Sequence, residues 1–201
     1  SAYRHGIFPW YQADQPVLWW SPDPRLVLFP GAIHISSSMR KLLRKRLYQI
    51  TIDNCFKRVI KLCAAPGKGR EETWITDPMI AAYERLHEMG IAHSVEVWEK
   101  DQLIGGLYGV AIGRVFFGES MFSTVNNASK LALIFLCRQL QSRRFKLIDC
   151  QVSSSHLIRM GAEEISRAEF KKYLDRYIDK EAGTTTWKPS ITMEQLACDE
   201  H

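Results

Sequence analysis

The sequence predicts a mixed α/β fold built around residues 103–152, and three observations support this prediction. β-Branched and aromatic residues stand on both sides of Gly113, which predicts a β-hairpin that turns there. Residues 129–141 are apolar nearly all round the predicted helix, as in a helix buried inside a protein. Residues 146–152 form a short apolar run between helix signals, which predicts a central strand. A succession of hairpin, helix and strand fits neither an all-α nor an all-β protein.

The first 30 residues are dense in aromatic residues and prolines. Trp10, Trp19 and Trp20 fall within eleven positions, and five prolines rule out a long helix. The segment is therefore predicted to be extended. Its aromatic side chains either pack on the main domain or form a platform on which nucleic acid bases stack.

Residues 36–47 are predicted to form a basic helix. The serine run supplies an N-cap, and Met39, Leu42 and Leu43 form one apolar side. No acid interrupts this helix, so ion pairs between residues four apart do not explain its charge. Either the charges are simply solvated, or they face a phosphate backbone, which is their natural complement. The basic residues are Arg40, Lys41, Arg44, Lys45 and Arg46.

Shorter elements complete the predicted order on both sides of the central stretch. The first half adds a strand at residues 48–53, a helix capped by Asn54, a helix that starts at Asp77 and stops at Gly90, and a strand at residues 93–98. The second half adds a short helix that stops at Gly161, a strand at residues 163–165 and a helix opened by a Ser166–Glu169 capping box. This mixed α/β (α+β) order is typical of an acetyltransferase-like (GNAT-type) acyltransferase domain.

Length, charge and cysteine usage narrow the class of protein. The 201 residues fit one full domain plus a small addition. A net charge of +5 suits an acidic partner such as nucleic acid without requiring one. The five cysteines contain no CxxC pair, which predicts neither a zinc site nor a disulfide framework and favours a reducing cytoplasm. The longest apolar run is far shorter than the roughly 20 residues that span a bilayer.

Several kinds of chemistry leave no trace in the sequence. There is no P-loop, no GxGxxG after a strand, no GxSxG and no histidine pair at metal-ligand spacing, so we predict neither a metal nor a cofactor. Any group transfer must therefore use a substrate that arrives already activated. Acetyltransferases that use coenzyme A share a [Q/R]xxGx[G/A] turn that holds the pyrophosphate on a helix N-terminus. No such turn follows the predicted hairpin, which argues against that cofactor.

Three polar residues stand in the apolar central stretch: Glu119, Asp149 and Gln151. Side chains alternate along a strand, so Asp149 and Gln151 are expected on the face opposite to Ile148 and Cys150. A carboxylate in a buried strand requires a partner or a task, because an unpaired buried charge is costly. Asp149 therefore either pairs with an arginine or caps a loop, or it takes part in catalysis.

Motifs along nearly the whole chain resemble those of the leucyl/phenylalanyl-tRNA–protein transferase family. In chain order they read GIFPW, LWWSPDPR, ETWIT, GGLYGVA, VFFGESMFS, NASK and LIDCQ. The resemblance implies a monomeric cytoplasmic enzyme that moves Leu or Phe, and also Met, from tRNA to the N-terminal Arg or Lys of a protein, which marks that protein for degradation. It also implies two parts: residues 1–24, the remainder of a small N-terminal domain, and residues 25–201, the catalytic domain.

The resemblance also implies roles for binding residues. Trp10 and Trp74 would grip the terminal adenosine of the aminoacyl-tRNA, and Tyr3 and Tyr83 would help to line that site. The acceptor-stem phosphates would meet the basic helix at Arg40, Lys41, Arg44 and Lys45. The leucyl or phenylalanyl side chain would enter an apolar pocket that includes Leu107, Phe116, Met121, Leu136 and Ile148.

The implied reaction is direct attack of the acceptor amine on the aminoacyl ester, without a covalent enzyme intermediate. Gln151 would position the reacting groups by hydrogen bonding, because an uncharged amide is a poor base. Asp149 and Glu119 would attract and orient the cationic acceptor residue. Two other functions fit parts of the sequence: a coenzyme A-dependent N-acetyltransferase, and an RNA-binding module without catalysis.

Overall fold

The computed structural model describes residues 1–11, 15–66, 74–180 and 187–188. The strands are β1 (Phe8–Pro9), β2 (Trp19–Trp20), β3 (Arg25–Leu28), β4 (Gln49–Ile52), β5 (Ala92–Glu99), β6 (Gln102–Ile112), β7 (Val115–Ser123), β8 (Leu147–Gln151) and β9 (Glu163–Ile165). The α-helices are α1 (Ser37–Arg44), α2 (Phe56–Ala64), α3 (Asp77–Glu88), α4 (Ala128–Ser142), α5 (Ser155–Arg159) and α6 (Arg167–Tyr177). Short 3₁₀ turns span Ala2–His5 and Pro30–Ala32.

Seven strands form one sheet in the order β4-β5-β6-β7-β8-β3-β9, and β1 and β2 pair separately as a two-stranded ribbon. All neighbours in the large sheet are antiparallel except β7 and β8, which are parallel. The parallel pair is joined through α4, as a crossover between parallel strands requires. The mixed α/β prediction, the hairpin turn at Gly113 and the internal position of β8 are confirmed.

Helices cover both faces of the sheet, which explains the apolar character of the central stretch. Helices α4 and α1 pack over one face, and α2, α3 and α6 pack over the other. Ten residues of α4 are buried, as predicted for a helix that is apolar nearly all round. A strand covered on both faces reads as a continuous apolar run, and β8 is such a strand.

The helix starts follow the predicted caps in two places and depart from them in one. The Ser36 hydroxyl accepts the N–H of Met39 at 3.4 Å, and the Ser166 hydroxyl accepts the N–H of Glu169 at 3.2 Å. The predicted Asn54 cap is wrong, because α2 starts one residue later with Cys55 at its N-cap and no side-chain cap bond. The backbone N–H of Asn54 donates instead to the carboxylate of Glu96.

Two glycines of the β6–β7 hairpin are expected to differ in how much an added methyl group changes the free energy of unfolding. A Cβ on Gly109 would lie 2.3 Å from the carbonyl oxygen of Phe117, whereas a Cβ on Gly118 would have its nearest contact at 3.5 Å. We expect Gly109→Ala to lower the free energy of unfolding by about 1–3 kcal/mol through overpacking. Gly118→Ala should change it by less than about 0.5 kcal/mol. Urea unfolding followed by circular dichroism measures both, and equal losses would contradict this packing.

Candidate active site

A cavity of about 530 Å³ lies where β7 and β8 separate. The two strands pair at Val115–Leu147, Phe116–Ile148 and Phe117–Asp149, and no further pair follows although both strands continue. Residues beyond the last pair line the cavity from both strands: Gly118, Glu119, Ser120, Met121, Cys150 and Gln151. The site is therefore a split between two parallel strands inside the sheet.

Each strand bordering the split carries a β-bulge beside it. On β7, Gly118 pairs with Gly109 and Ser120 with Tyr108, so Glu119 is the extra residue. On β8, one residue is likewise extra between the partners of Val27 and Leu26 on β3, and it is Cys150. A bulge bends a strand and redirects a side chain, and bulges are frequent next to active sites.

The apolar wall of the cavity contains all five residues that the family resemblance assigned to a side-chain pocket. They lie on β6, β7, α4 and β8: Leu107, Phe116, Met121, Leu136 and Ile148. Two further residues, Leu133 and Leu157, belong to the same wall and were missed. Leu133 lies one helical turn before Leu136 on α4, so the helical period could have identified it.

The two tryptophans assigned to the adenosine site also line the cavity. Trp10 follows β1, and its side chain is 42% exposed. Trp74 precedes α3, where it is partly buried. The Trp10 ring contacts the ring of Trp20 at a centroid distance of 5.8 Å. The structure thus brings together two aromatic residues that are 64 positions apart in the sequence.

Glu119 is the buried acid of the cavity, and three side chains hold its carboxylate. Tyr3 donates to Oε1 at 2.7 Å, Tyr83 donates to Oε2 at 2.8 Å, and the amide of Gln151 donates to Oε1 at 3.3 Å. The two phenol oxygens are 2.6 Å apart. Neither Tyr3 nor Tyr83 is among the residues that line the cavity, and both donate to Glu119, so their part in the adenosine site stays a prediction.

The burial of Glu119 raises the pKa of its carboxyl to about 7, against hydrogen bonds from Tyr3 and Tyr83 that lower it. The negative charge of Asp149 raises it further. Burial also raises the pKa values of both phenols well above their usual range, so they remain hydrogen-bond donors. If both phenols donate to Glu119, no proton remains for the 2.6 Å contact between the two phenol oxygens. A protonated Glu119 that donates to one phenol would free that phenol to donate to the other, which is consistent with the raised pKa of the carboxyl.

Asp149 is fully buried and belongs to an ion pair with Arg25. The guanidinium donates through Nε and Nη2 at 2.8 and 2.7 Å, and it lies over the rings of Phe8 and Phe170 at 4.8 and 4.6 Å. Asp149 does not line the cavity, so the expectation that it meets the acceptor together with Glu119 is not supported by its position. Of the open alternatives, pairing with an arginine is the one that the structure contains.

The side chain of Gln151 does not follow the alternation of side chains along β8. Its φ of 67° turns the side chain into the cavity, on the side of Ile148 and Cys150 and not of Asp149, so the expected face is wrong. The backbone N–H of Gln151 donates to Asp149 Oδ1 at 2.9 Å. The same carboxylate therefore holds Arg25 and fixes the unusual backbone of Gln151.

His156 on α5 is a cavity residue that the sequence did not single out. Burial lowers the pKa of its imidazole, and the charges of Lys130 and Arg159 lower it further. The ring is therefore neutral at pH 7. The histidines are scattered along the sequence, so spacing gave no signal for this one.

The basic helix α1 lies on the same face of the sheet as α4 and packs through Met39 and Leu43. The four residues assigned to tRNA phosphates are all exposed and do not line the cavity: Arg40, Lys41, Arg44 and Lys45. Within the described residues, no group of three or more His, Cys, Asp or Glu side chains is placed to hold a metal ion. No helix in the same part of the chain combines the length and apolar character needed to cross a membrane.

The buried ion pair between Arg25 and Asp149 allows a prediction about the free energy of unfolding. Replacing one partner of a buried ion pair leaves the other charge uncompensated, so Asp149→Leu should lower the free energy of unfolding by about 3–5 kcal/mol. The double variant Arg25→Met, Asp149→Leu removes both charges and should recover most of that loss. Urea unfolding measures both proteins, and a double variant no more stable than the single one would contradict the argument.

The raised pKa of Glu119 predicts that stability falls with pH. The unfolded chain loses this proton near pH 4.5, whereas the folded protein keeps it until about pH 7. The extra proton therefore contributes fully below pH 4.5, and its contribution of about 3 kcal/mol is lost as pH rises through about 7. In Glu119→Gln, which cannot titrate, this slope should be absent. Urea unfolding of both proteins over this pH range provides the measurement, and parallel curves would exclude the shift.

Comparisons with known proteins identify the family to which the chain belongs. Residues 27–175 match the family described as leucyl/phenylalanyl-tRNA protein transferase, and residues 1–23 match the N-terminal domain of the same family. A leucyl/phenylalanyl-tRNA–protein transferase of Pseudomonas aeruginosa strain UCBPP-PA14 is 57% identical over 90% of this chain and 80% of its own length. The transferase of Cellvibrio japonicus is 55% identical over 90% of this chain and 77% of its own.

Among solved structures, a GCN5-related N-acetyltransferase from Kribbella flavida superposes with a TM-score of 0.45 and 10% identity, over 82% of this chain and 58% of that one. A likeness at this level carries no conclusion about function. The family match covers most of the chain, and the relatives share more than half of their aligned residues with it. The resemblance seen in the motifs is confirmed: the chain belongs to the leucyl/phenylalanyl-tRNA–protein transferase family.

Proposed function

We propose that this chain transfers leucine or phenylalanine, and also methionine, from aminoacyl-tRNA to the α-amine of an N-terminal Arg or Lys of a protein. The observation that carries the proposal is the composition of the cavity. An apolar wall, two tryptophans and a buried Glu119–Gln151 pair meet in one space between β7 and β8. The transfer would take place in the cytoplasm, on a monomer and without a cofactor, and would mark the acceptor for degradation.

The apolar wall would receive the side chain of the transferred amino acid. It is built from β-sheet and α4 side chains that are themselves packed in the core, so its shape is fixed before binding. One methylene more or less in such a pocket changes binding by only about 1–3 kcal/mol. A pocket of this kind therefore accepts Leu, Phe and Met and selects against polar side chains.

The tryptophans and the basic helix would bind the tRNA. Trp10 and Trp74 offer flat faces to the terminal adenine, and a stacked base contributes roughly 1–3 kcal/mol. Helix α1 presents exposed cations, and the phosphates of the acceptor stem are their natural complement. The phosphate contacts add affinity without selecting a base sequence.

The chemistry would be aminolysis of an ester that is already activated. The neutral α-amine, whose reference pKa is about 7.7–8, attacks the ester carbonyl carbon. A C–N bond forms and the C–O bond to the ribose breaks, while the amine loses a proton and the ribose oxygen gains one. The enzyme contributes mainly by orienting the two substrates and by placing charge.

Within this scheme, Gln151 and Glu119 have different tasks. Gln151 positions the reacting groups through its amide, whose direction is set by the left-handed backbone and the bond to Asp149. Glu119 lies beside it and attracts the cationic acceptor. A nearby cation lowers the pKa of a carboxyl, so an arriving Arg or Lys would itself favour the ionised form of Glu119. Asp149 acts through Gln151, whose backbone it holds, and its charge raises the pKa of Glu119.

The other two functions explain less of the site. A coenzyme A-dependent acetyltransferase requires a pyrophosphate turn that the residues after β7 lack. An RNA-binding module would use the tryptophans and α1, but it would leave Glu119, Gln151 and the apolar wall without a task.

The proposal predicts a transfer assay with a defined acceptor rule. The chain, incubated with radiolabelled Leu-tRNA and a peptide that begins with Arg, should place label in the peptide. A matched peptide that begins with Ala should remain unlabelled, because it lacks the cation that Glu119 attracts. Glu119→Gln should reduce labelling of the Arg peptide much more than binding of Leu-tRNA. Equal labelling of the two peptides, or none of either, would refute the acceptor rule or the transfer itself.

A further inference from the structure

One exposed aromatic residue beside the cavity has no part in the scheme above. The indole of Trp20 on β2 is 44% exposed and contacts the ring of Trp10, which lines the cavity. Val17, Leu18 and Trp19 of the same segment are each at least 38% exposed as well. Single exposed apolar residues are common, so the contact with Trp10, and not exposure alone, points to a role for Trp20.

The ribbon orients Trp20 and Trp19 differently. Trp20 is paired with Phe8 and Trp19 with Pro9, and both partners line the cavity, so pairing alone does not separate the two indoles. Trp20 contacts Trp10: its indole N–H donates to the Trp10 carbonyl at 2.7 Å. Successive side chains of a strand point to opposite faces, so Trp19 is directed away from Trp20.

The ring of Trp10 lines the cavity, and the ring of Trp20 lies beside it on the outer side. Their planes are inclined by 58°, so Trp10 does not cover the face of Trp20 as a stacked ring would. The centroid separation of 5.8 Å is of the order of one nucleotide step, since bases along one strand are about 3.4 Å apart when stacked and farther apart when splayed. A group bound against Trp10 therefore has its covalent neighbour within reach of Trp20.

We propose that Trp20 stacks on the base of the nucleotide that precedes the terminal adenosine of the tRNA. This inference rests on the proposed function, in which the terminal adenosine lies against Trp10 and Trp74. The donor is a polynucleotide, so the preceding nucleotide has to leave the cavity past its rim. Residues 15–22 contain no acid that would repel its phosphate. A stacking contact to this base would serve every donor, because the donors share their unpaired 3′ end and differ elsewhere.

The test compares two donors that differ only in the nucleotides before the adenosine. Leucyl-adenosine ends at the cavity, whereas a leucyl-CCA trinucleotide continues past the rim. Trp20→Ala should raise KM for leucyl-CCA by roughly 5- to 100-fold, as expected for one lost base–aromatic stack, and leave KM for leucyl-adenosine unchanged. Trp20→Phe keeps an aromatic face without the bond to Trp10 and should retain most of the affinity.

Trp19→Ala is the matched control, because it removes an indole of at least the same exposure, 56% against 44%, from the other face of the same ribbon. It should change KM for neither donor. A rise in KM for both donors with Trp20→Ala would mean that Trp20 only supports Trp10, and would overturn the proposal. No change with either donor, or an equal loss with Trp19→Ala, would overturn it as well. If the wild-type chain transfers leucine from neither donor, the proposed function fails and this inference fails with it.

Discussion

The buried ion pair between Arg25 and Asp149 is the interaction on which the geometry of the site depends. It joins the neighbouring strands β3 and β8, and the guanidinium also packs against Phe8 of the ribbon and Phe170 of α6. Four parts of the chain therefore meet at one charge pair. A pair of this kind contributes little net stability, since its desolvation cost offsets its attraction, but losing one partner is costly. We attribute to it the fixed position of Gln151.

The separation of β7 and β8 opens the space in which the candidate site lies. Parallel pairing ends at Phe117 and Asp149, and the next residues on both strands turn toward the space that opens. The bulges at Glu119 and Cys150 place an acid and a bend beside the split. The apolar wall comes from the packed core, so one space combines a rigid shape for a side chain with a polar edge. This combination underlies the proposed transfer.

Much of the fold could be predicted because its signals are local. The hairpin around Gly113, the apolar helix α4 and the serine caps depend on residues within one turn of each other. The membership of the apolar wall followed from family resemblance, and the cavity contains all five residues assigned to it.

The contacts of the polar residues around the site could not be predicted from the sequence, for two physical reasons. Arg25 and Asp149 are 124 positions apart, and Tyr3 and Glu119 are 116 apart, so no spacing reveals these contacts. Alternation assigned Gln151 to the wrong face because the rule assumes extended backbone, and a φ of 67° reverses it. Outside glycine, that conformation is enriched in Asn, Asp and His, so a glutamine gives no sign of it in the sequence.

The pairing of Asp149 with Arg25 has a consequence for the charge of the cavity. Asp149 does not line the cavity and its charge is matched by Arg25, so Glu119 and His156 are the lining residues that titrate nearest to neutral pH. Burial raises the pKa of Glu119 to about 7 and lowers the pKa of His156. As the pH falls through about 7 the lining therefore loses its negative charge, and under the proposed function the attraction of the cavity for a cationic acceptor would weaken.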